Sequence, residues 1–214
     1  MDGPAGAGKS TLAKIVAARL GYLYIDTGAM YRALALKALR MGITIDDDGA
    51  LTQMAGASAV RLERGSTGVR VLLDGEDVTA AIRSPEVNRV VSRVSAAMGL
   101  RQYLVDAQRE MARYGGVVMD GRDIGSHVLP DADVKLFVTA SLEERALRRQ
   151  QQLAKAGHNL SLPEIEAEIA RRDEQDRHKG VGSLILTPDA VLIDTTSRSV
   201  EDVVEEILKH CRRD

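Results

Sequence analysis

Residues able to do chemistry begin almost at the start of the chain. Gly3, Pro4, Ala5, Gly6, Ala7, Gly8, Lys9, Ser10 and Thr11 fit the spacing G-x-x-x-x-G-K-[S/T]. Glycines at these points let the backbone curl, so that successive N–H groups turn inward onto phosphate oxygens. A helix opening behind them adds its positive end. Lys9 would reach β- and γ-phosphates, and the Ser10 hydroxyl would ligate Mg²⁺. The dinucleotide fingerprint fits less well, since it has no role for the Lys–Ser pair. No guanine reader N-K-x-D occurs, which argues against a GTPase.

Two further segments place polar groups at the ends of apolar runs: Asp26-Thr27-Gly28-Ala29-Met30-Tyr31-Arg32 and Asp120-Gly121-Arg122-Asp123-Ile124-Gly125. Ligands of open α/β sheets bind beyond the C-terminal strand ends, so both segments would face a nucleotide held on the P-loop. Arg32 and Arg122 suit a phosphate, which the guanidinium fork binds bidentately. Asp120 fits two roles: a Walker-B-like ligand holding magnesium through water, or a helix N-cap or turn residue.

The elements that must position these groups are legible as patterns. Leu12, Ile15, Val16 and Leu20 mark a helix behind the P-loop, and Gly21 closes it. The short apolar runs Tyr22–Asp26, Val117–Asp120, Val134–Thr139 and Val191–Asp194 are each followed by a helical pattern. That alternation predicts an α/β fold with a buried parallel sheet. Residues 60–79 read as a small antiparallel meander, with Val69–Leu73 and Glu76–Val78 joined through Asp74-Gly75. Residues 141–179 are densely charged and helical. Ser141 with Glu144 and Ser161 with Glu164 are expected capping boxes, and Gly157-His158-Asn159 separates the two helices. Only Met1 and Asp2 precede the P-loop, which normally hangs from a central strand. The expectation is that several residues of that strand lie upstream in the natural protein, and that the sheet would be unstable without them.

Composition narrows the class. Against 29 Lys and Arg stand 31 Asp and Glu, so a net charge of −2 leaves no global positive field for nucleic acid. The basic residues are lopsided, 22 Arg to seven Lys, while five Tyr and Phe137 are too few for base-stacking platforms. The lone Cys211 excludes internal disulfides and Cys-based zinc clusters, which fits a reducing compartment. No apolar stretch approaches the ~20 residues of a membrane span, and a cytoplasmic location is expected. His127, His158, His178 and His210 show no metal spacing.

Four motifs in order, GPAGAGKST from Gly3, DTGAMYRA from Asp26, DGRDIG from Asp120 and RRDEQDRH from Arg171, resemble the bacterial cytidylate kinases. These P-loop nucleoside-monophosphate kinases transfer the γ-phosphoryl of ATP to CMP or dCMP. The resemblance runs from Gly3 to the final helix and includes the β insertion. It implies a single P-loop kinase domain: a core of 1–59, 86–140 and 180–214, a substrate-side insertion at about 60–85, and a helical lid at about 141–179. It places Thr27 and Arg32 at the monophosphate, and Ser92, Arg101 and Asp123 at the cytosine edge. Arg122 would bind phosphate, Arg172 and Asp176 would lie near the ribose and transferring group, and Arg148 is similar to a lid arginine. Lys9, Arg122, Arg148 and Arg172 make up the implied catalytic set, with Ser10 and Asp120 on the metal. Thr27 stands where many members have Ser, and Lys179 where Arg is common. ATP, CMP or dCMP and Mg²⁺ are the expected partners of a monomer, with no nucleic acid and no membrane.

Cytosine chemistry agrees with this set. Its pairing edge offers an amine donor, suited to the Asp123 carboxylate, and two acceptors, suited to Arg and Ser. Uracil would set a carbonyl against Asp123. Convergence has a geometric condition, because Ser92 and Arg101 are nine residues apart and would point oppositely on one straight helix. Gly99 is the expected break. In the lid, Arg145, Arg148 and Arg149 share a face, Arg172 and Asp176 stack at i, i+4, and Ile165 and Ile169 mark an inward stripe. Spacing alone favours a solvated, ion-paired surface. The resemblance assigns Arg148, Arg172 and Asp176, and leaves Arg145, Arg149, Arg177 and Lys179 without roles. Other readings remain open: a UMP or non-nucleotide acceptor, a non-catalytic ATP-binding module, or a nucleic-acid-binding protein opposed by the charge balance.

Overall fold

The computed structural model describes residues 1–65, 68–155, 157, 159–178 and 182–211. His158 and Lys179 lie outside the described residues. The strands are β1 (Leu23–Asp26), β2 (Val60–Gly65), β3 (Gly68–Leu73), β4 (Glu76–Asp77), β5 (Val117–Asp120), β6 (Leu136–Thr139) and β7 (Val191–Asp194). The α-helices are α1 (Lys9–Leu20), α2 (Thr27–Arg40), α3 (Asp48–Gly56), α4 (Pro85–Val94), α5 (Met98–Ala112), α6 (Leu142–Lys155), α7 (Leu162–Arg177) and α8 (Val200–Cys211). The fold is α/β, and the chain divides into two compact units.

The first unit comprises Met1–Leu23 and Asp120–Asp214. Here β6 pairs in parallel with β7, from Leu136 opposite Val191 to Thr139 opposite Asp194. Met1 and Asp2 take the strand position beside β6. The Asp2 N–H donates to the Leu136 carbonyl at 2.8 Å, the Val138 N–H donates to the Asp2 carbonyl at 2.8 Å, and the Gly121 N–H donates to Met1 at 3.0 Å. Gly3 then turns with φ of 145°, and an added Cβ would lie 1.9 Å from the Val138 carbonyl oxygen, so no side chain fits. Helix α1 ends as expected at Gly21, left-handed at φ 69°, with the Tyr22 N–H reaching back to Ala17 at 2.8 Å. Helix α8 buries Val203, Val204, Ile207 and Leu208 and packs against α1. Helices α6 and α7 close around Ala146, Ile165 and Ile169, the inward stripe that the spacing predicts.

The second unit, Tyr24–Met119, is organised on α2, which buries Ala29, Met30, Ala33, Leu34, Ala35 and Ala38. It packs against α4 and the meander, while α3 packs against α5 and β1 pairs with β5. The meander β2-β3-β4 is antiparallel, and its tight turn is the expected Asp74-Gly75, at φ 52° and 90°. The run 134–139 forms strand only from Leu136. After β5 there is no full helix but a five-residue π-helical turn, Ile124–Val128.

Candidate active site

In the first unit, Gly6 and Gly8 hold left-handed φ of 78° and 92°, as a loop folding its amides around an anion requires. Gly8 opens α1 with no side-chain cap and no acidic residue in the first turn. By contrast, α2, α3 and α4 are capped by Asp26, Asp47 and Ser84. Lys9 is buried, and its Nζ donates to the Pro4 carbonyl at 2.7 Å. Burial holds its pKa well below 10.5. Arg122 and Arg172 add repulsion, while Asp120 and Asp2 partly offset both effects. Two guanidinium groups acting on a buried amine make a field that an incoming polyphosphate would relieve.

The Ser10 hydroxyl donates to Asp120 Oδ2 at 2.7 Å. The Asp120 carboxylate thus meets the P-loop hydroxyl. Two neighbouring oxygen ligands fit Mg²⁺, which keeps waters and takes the rest of its shell from phosphates. Among the described residues there is no cluster of three or more His, Cys, Asp or Glu that would form a protein-only metal cage. Arg122 Nε donates to the buried Asp176 carboxylate at 2.7 Å, joining DGRDIG to α7. Asp123 is buried, and Arg172 is half-buried.

Arg148 is held beside the P-loop. It donates to Glu144 at 2.9 Å and to the Thr195 hydroxyl and carbonyl at 2.9 and 2.8 Å, and the Thr195 hydroxyl reaches the Ala7 carbonyl at 3.1 Å. This pairing corrects one expectation. The Glu144 N–H donates to Ser141 Oγ at 3.2 Å, but the Glu144 carboxylate turns to Arg148, so the first capping box is only half made. The second forms: Glu164 accepts from the Ser161 N–H at 2.9 Å.

In the second unit Thr27 is buried in the first turn of α2, where the Asp26 carboxylate accepts the Ala29 N–H at 2.9 Å. Arg32 folds back over Gly28: an added Cβ there would lie 2.9 Å from Arg32 Nη1. Arg101 is buried, with its guanidinium carbon 5.8 Å from the centroid of the Tyr31 ring. Ser92 is half-buried on α4. The helix does break between Ser92 and Arg101, but at Ser95–Ala97 rather than at Gly99. Gly99 serves packing instead, since a Cβ there would meet Thr52 Cγ2 at 2.3 Å, and its absence lets α3 approach α5. Ser92 and Arg101 belong to the second unit and Asp123 to the first.

The family model for cytidylate kinase matches residues 1–213. The chain belongs to the cytidylate kinase family. It is accordingly a nucleoside-monophosphate kinase. A cytidylate kinase of Symbiobacterium thermophilum is 67% identical over 214 residues, covering 100% of this chain and 95% of that protein. A cytidylate kinase of Desulfitobacterium hafniense is 53% identical over 208 residues, covering 97% and 89%. A bifunctional pantoate ligase/cytidylate kinase of Synechococcus sp. is 51% identical over 97% of this chain, which spans 39% of that longer protein.

Spacing missed Arg145. It is buried, donating to Asp173 at 2.6 Å, to the P-loop carbonyl of Ala5 at 3.2 Å and to Ala140 at 3.1 Å. Its periodicity is that of a solvated face, while two of the groups that bury it lie 28 and 140 residues away and leave no periodic trace. Arg149 is half-buried, and Arg177 is exposed beside Glu174.

Proposed function

We propose that this protein phosphorylates CMP or dCMP with ATP, by in-line transfer of the γ-phosphoryl group. The observation that carries the reading is the Ser10–Asp120 contact beside buried Lys9, on a P-loop whose helix end has no side-chain cap. Family membership supports the acceptor. P-loop amides and Lys9 bind and orient the donor phosphates, and Arg122, Arg148 and Arg172 neutralise charge spreading over the transferring group. Ser10 and Asp120 would hold Mg²⁺, which would supply further charge neutralisation on the phosphates. Thr27 and Arg32 take the monophosphate, Asp176 lies by the ribose, and Ser92, Arg101 and Asp123 read cytosine. The attacking phosphate oxygen is already ionised, so no strong base is needed. The chain is a single kinase domain with a lid at about residues 141–179, acting as a cytoplasmic monomer.

Coupled ADP release with CMP, dCMP, UMP and AMP in turn tests this. CMP-stimulated release is expected, and its absence defeats the reading. Equal turnover of UMP defeats the cytosine assignment. Asp123→Ala should raise the KM for CMP far more than that for ATP.

A further inference from the structure

Asp2 offsets part of the repulsion at Lys9, but its carboxylate is buried and both of its oxygens are held by backbone amides. One oxygen accepts the Ile124 N–H at 2.8 Å and the other the Gly125 N–H at 2.8 Å. These amides open the π-helical turn that directly follows Arg122 and Asp123. The fit around them is close: a Cβ on Gly125 would lie 3.2 Å from Lys135 and 3.5 Å from Asp2 Oδ2. The Asp2 backbone is fixed separately, by its two hydrogen bonds with Leu136 and Val138 of β6. The next residue begins the P-loop.

We propose that Asp2 is a positioning residue that sets the Arg122–Asp123 loop at a fixed spacing from the P-loop. It is joined to the phosphate cradle by its own peptide and to the substrate loop by two charge-assisted hydrogen bonds. Its backbone cannot slide along β6 without breaking the ladder. In-line transfer depends steeply on the spacing of donor and acceptor, and a shift of about 1 Å costs about a hundredfold. A neutral residue of the same shape would not serve, because an amide would turn its NH₂ onto one of the two N–H donors. The inference rests on the proposed function, since Asp123 is taken there to read the acceptor base.

The test is Asp2→Asn, with Asp2→Ser as a second variant that keeps one acceptor. Steady-state constants for ATP, CMP and UMP are normalised to the folded fraction from circular dichroism. In Asp2→Asn, kcat/KM for CMP is expected to fall roughly a hundredfold. The preference for CMP over UMP should collapse, the KM for ATP should change less than that for CMP, and Asp2→Ser should fall between. A lowered melting temperature with unchanged constants per folded molecule overturns the proposal. Hydrogen exchange on the unmodified protein reads the same clamp without a variant: Ile124 and Gly125 amides should be as protected as Val138, and fast exchange at either overturns it. A wild-type enzyme showing no CMP preference defeats the proposed acceptor and leaves the clamp to be judged by exchange.

Discussion

Arg145 and Asp173 form an ion pair at 2.6 Å in which each side chain is only 8% exposed. Among the described residues Asp173 Oδ1 has no hydrogen-bond partner, and Arg145 is the cation paired with this carboxylate. Arg145→Met would leave a buried charge uncompensated and remove donors from the Ala5 and Ala140 carbonyls. Breaking one side of such a pair costs about 3–5 kcal/mol. At roughly 2–4 °C per kcal/mol for a chain of this size, the melting temperature should drop by roughly 6–20 °C. Asp173→Leu should do similar damage by stranding the guanidinium. The double replacement Arg145→Met/Asp173→Leu should recover most of the loss, because a matched apolar pair leaves no buried charge. Thermal melts of the four proteins read the stability. The KM for ATP reads the Ala5 contact, and it should stay raised in the double variant although stability returns. Single replacements that shift the melting temperature by less than about 3 °C would refute the burial argument. So would a double variant no more stable than the singles.

Gly28→Ala should push the Arg32 guanidinium off α2 and raise the KM for CMP several-fold with little change for ATP, and unchanged CMP kinetics would refute it. Lys9 should link nucleotide binding to protons. Its pKa in the free protein lies well below 10.5, first through burial and then Arg122, and bound phosphate raises it. Between those two values binding takes up a proton, so affinity should fall as pH rises through that window. Calorimetry in buffers of different ionisation enthalpy checks the uptake, and no uptake at any pH where the protein stays folded contradicts it. Gln108 is wholly buried, and among the described residues neither of its amide atoms has a hydrogen-bond partner. Gln108→Leu should therefore stabilise by about 1–3 kcal/mol, and a lower melting temperature would show that the amide is satisfied.

The P-loop, the two strand-tip segments, the meander turn and helices α6 and α7 were legible in the residues because each rests on a local demand. Gly6 and Gly8 adopt φ values that side chains resist, Asp74-Gly75 makes a two-residue turn, and Ile165 and Ile169 recur at helical spacing. The same spacing required a helix break between Ser92 and Arg101, but it chose Gly99 because a glycine missing its side chain looks alike in a hinge and in a tight crossing. Only the packing of α3 on α5 separates the two.

Sequence alone thus determined the family: which motifs the chain carries and in what order they come. Tertiary structure decided what each charge does. Asp120 became the partner of Ser10, Glu144 left its cap for Arg148, and Arg145 became a buried strut under the P-loop. Asp2 became a clamp on the turn after Asp123. These assignments join residues from 4 to 140 positions apart. The value of a charge depends on burial and on what faces it, and no periodicity in the chain encodes either.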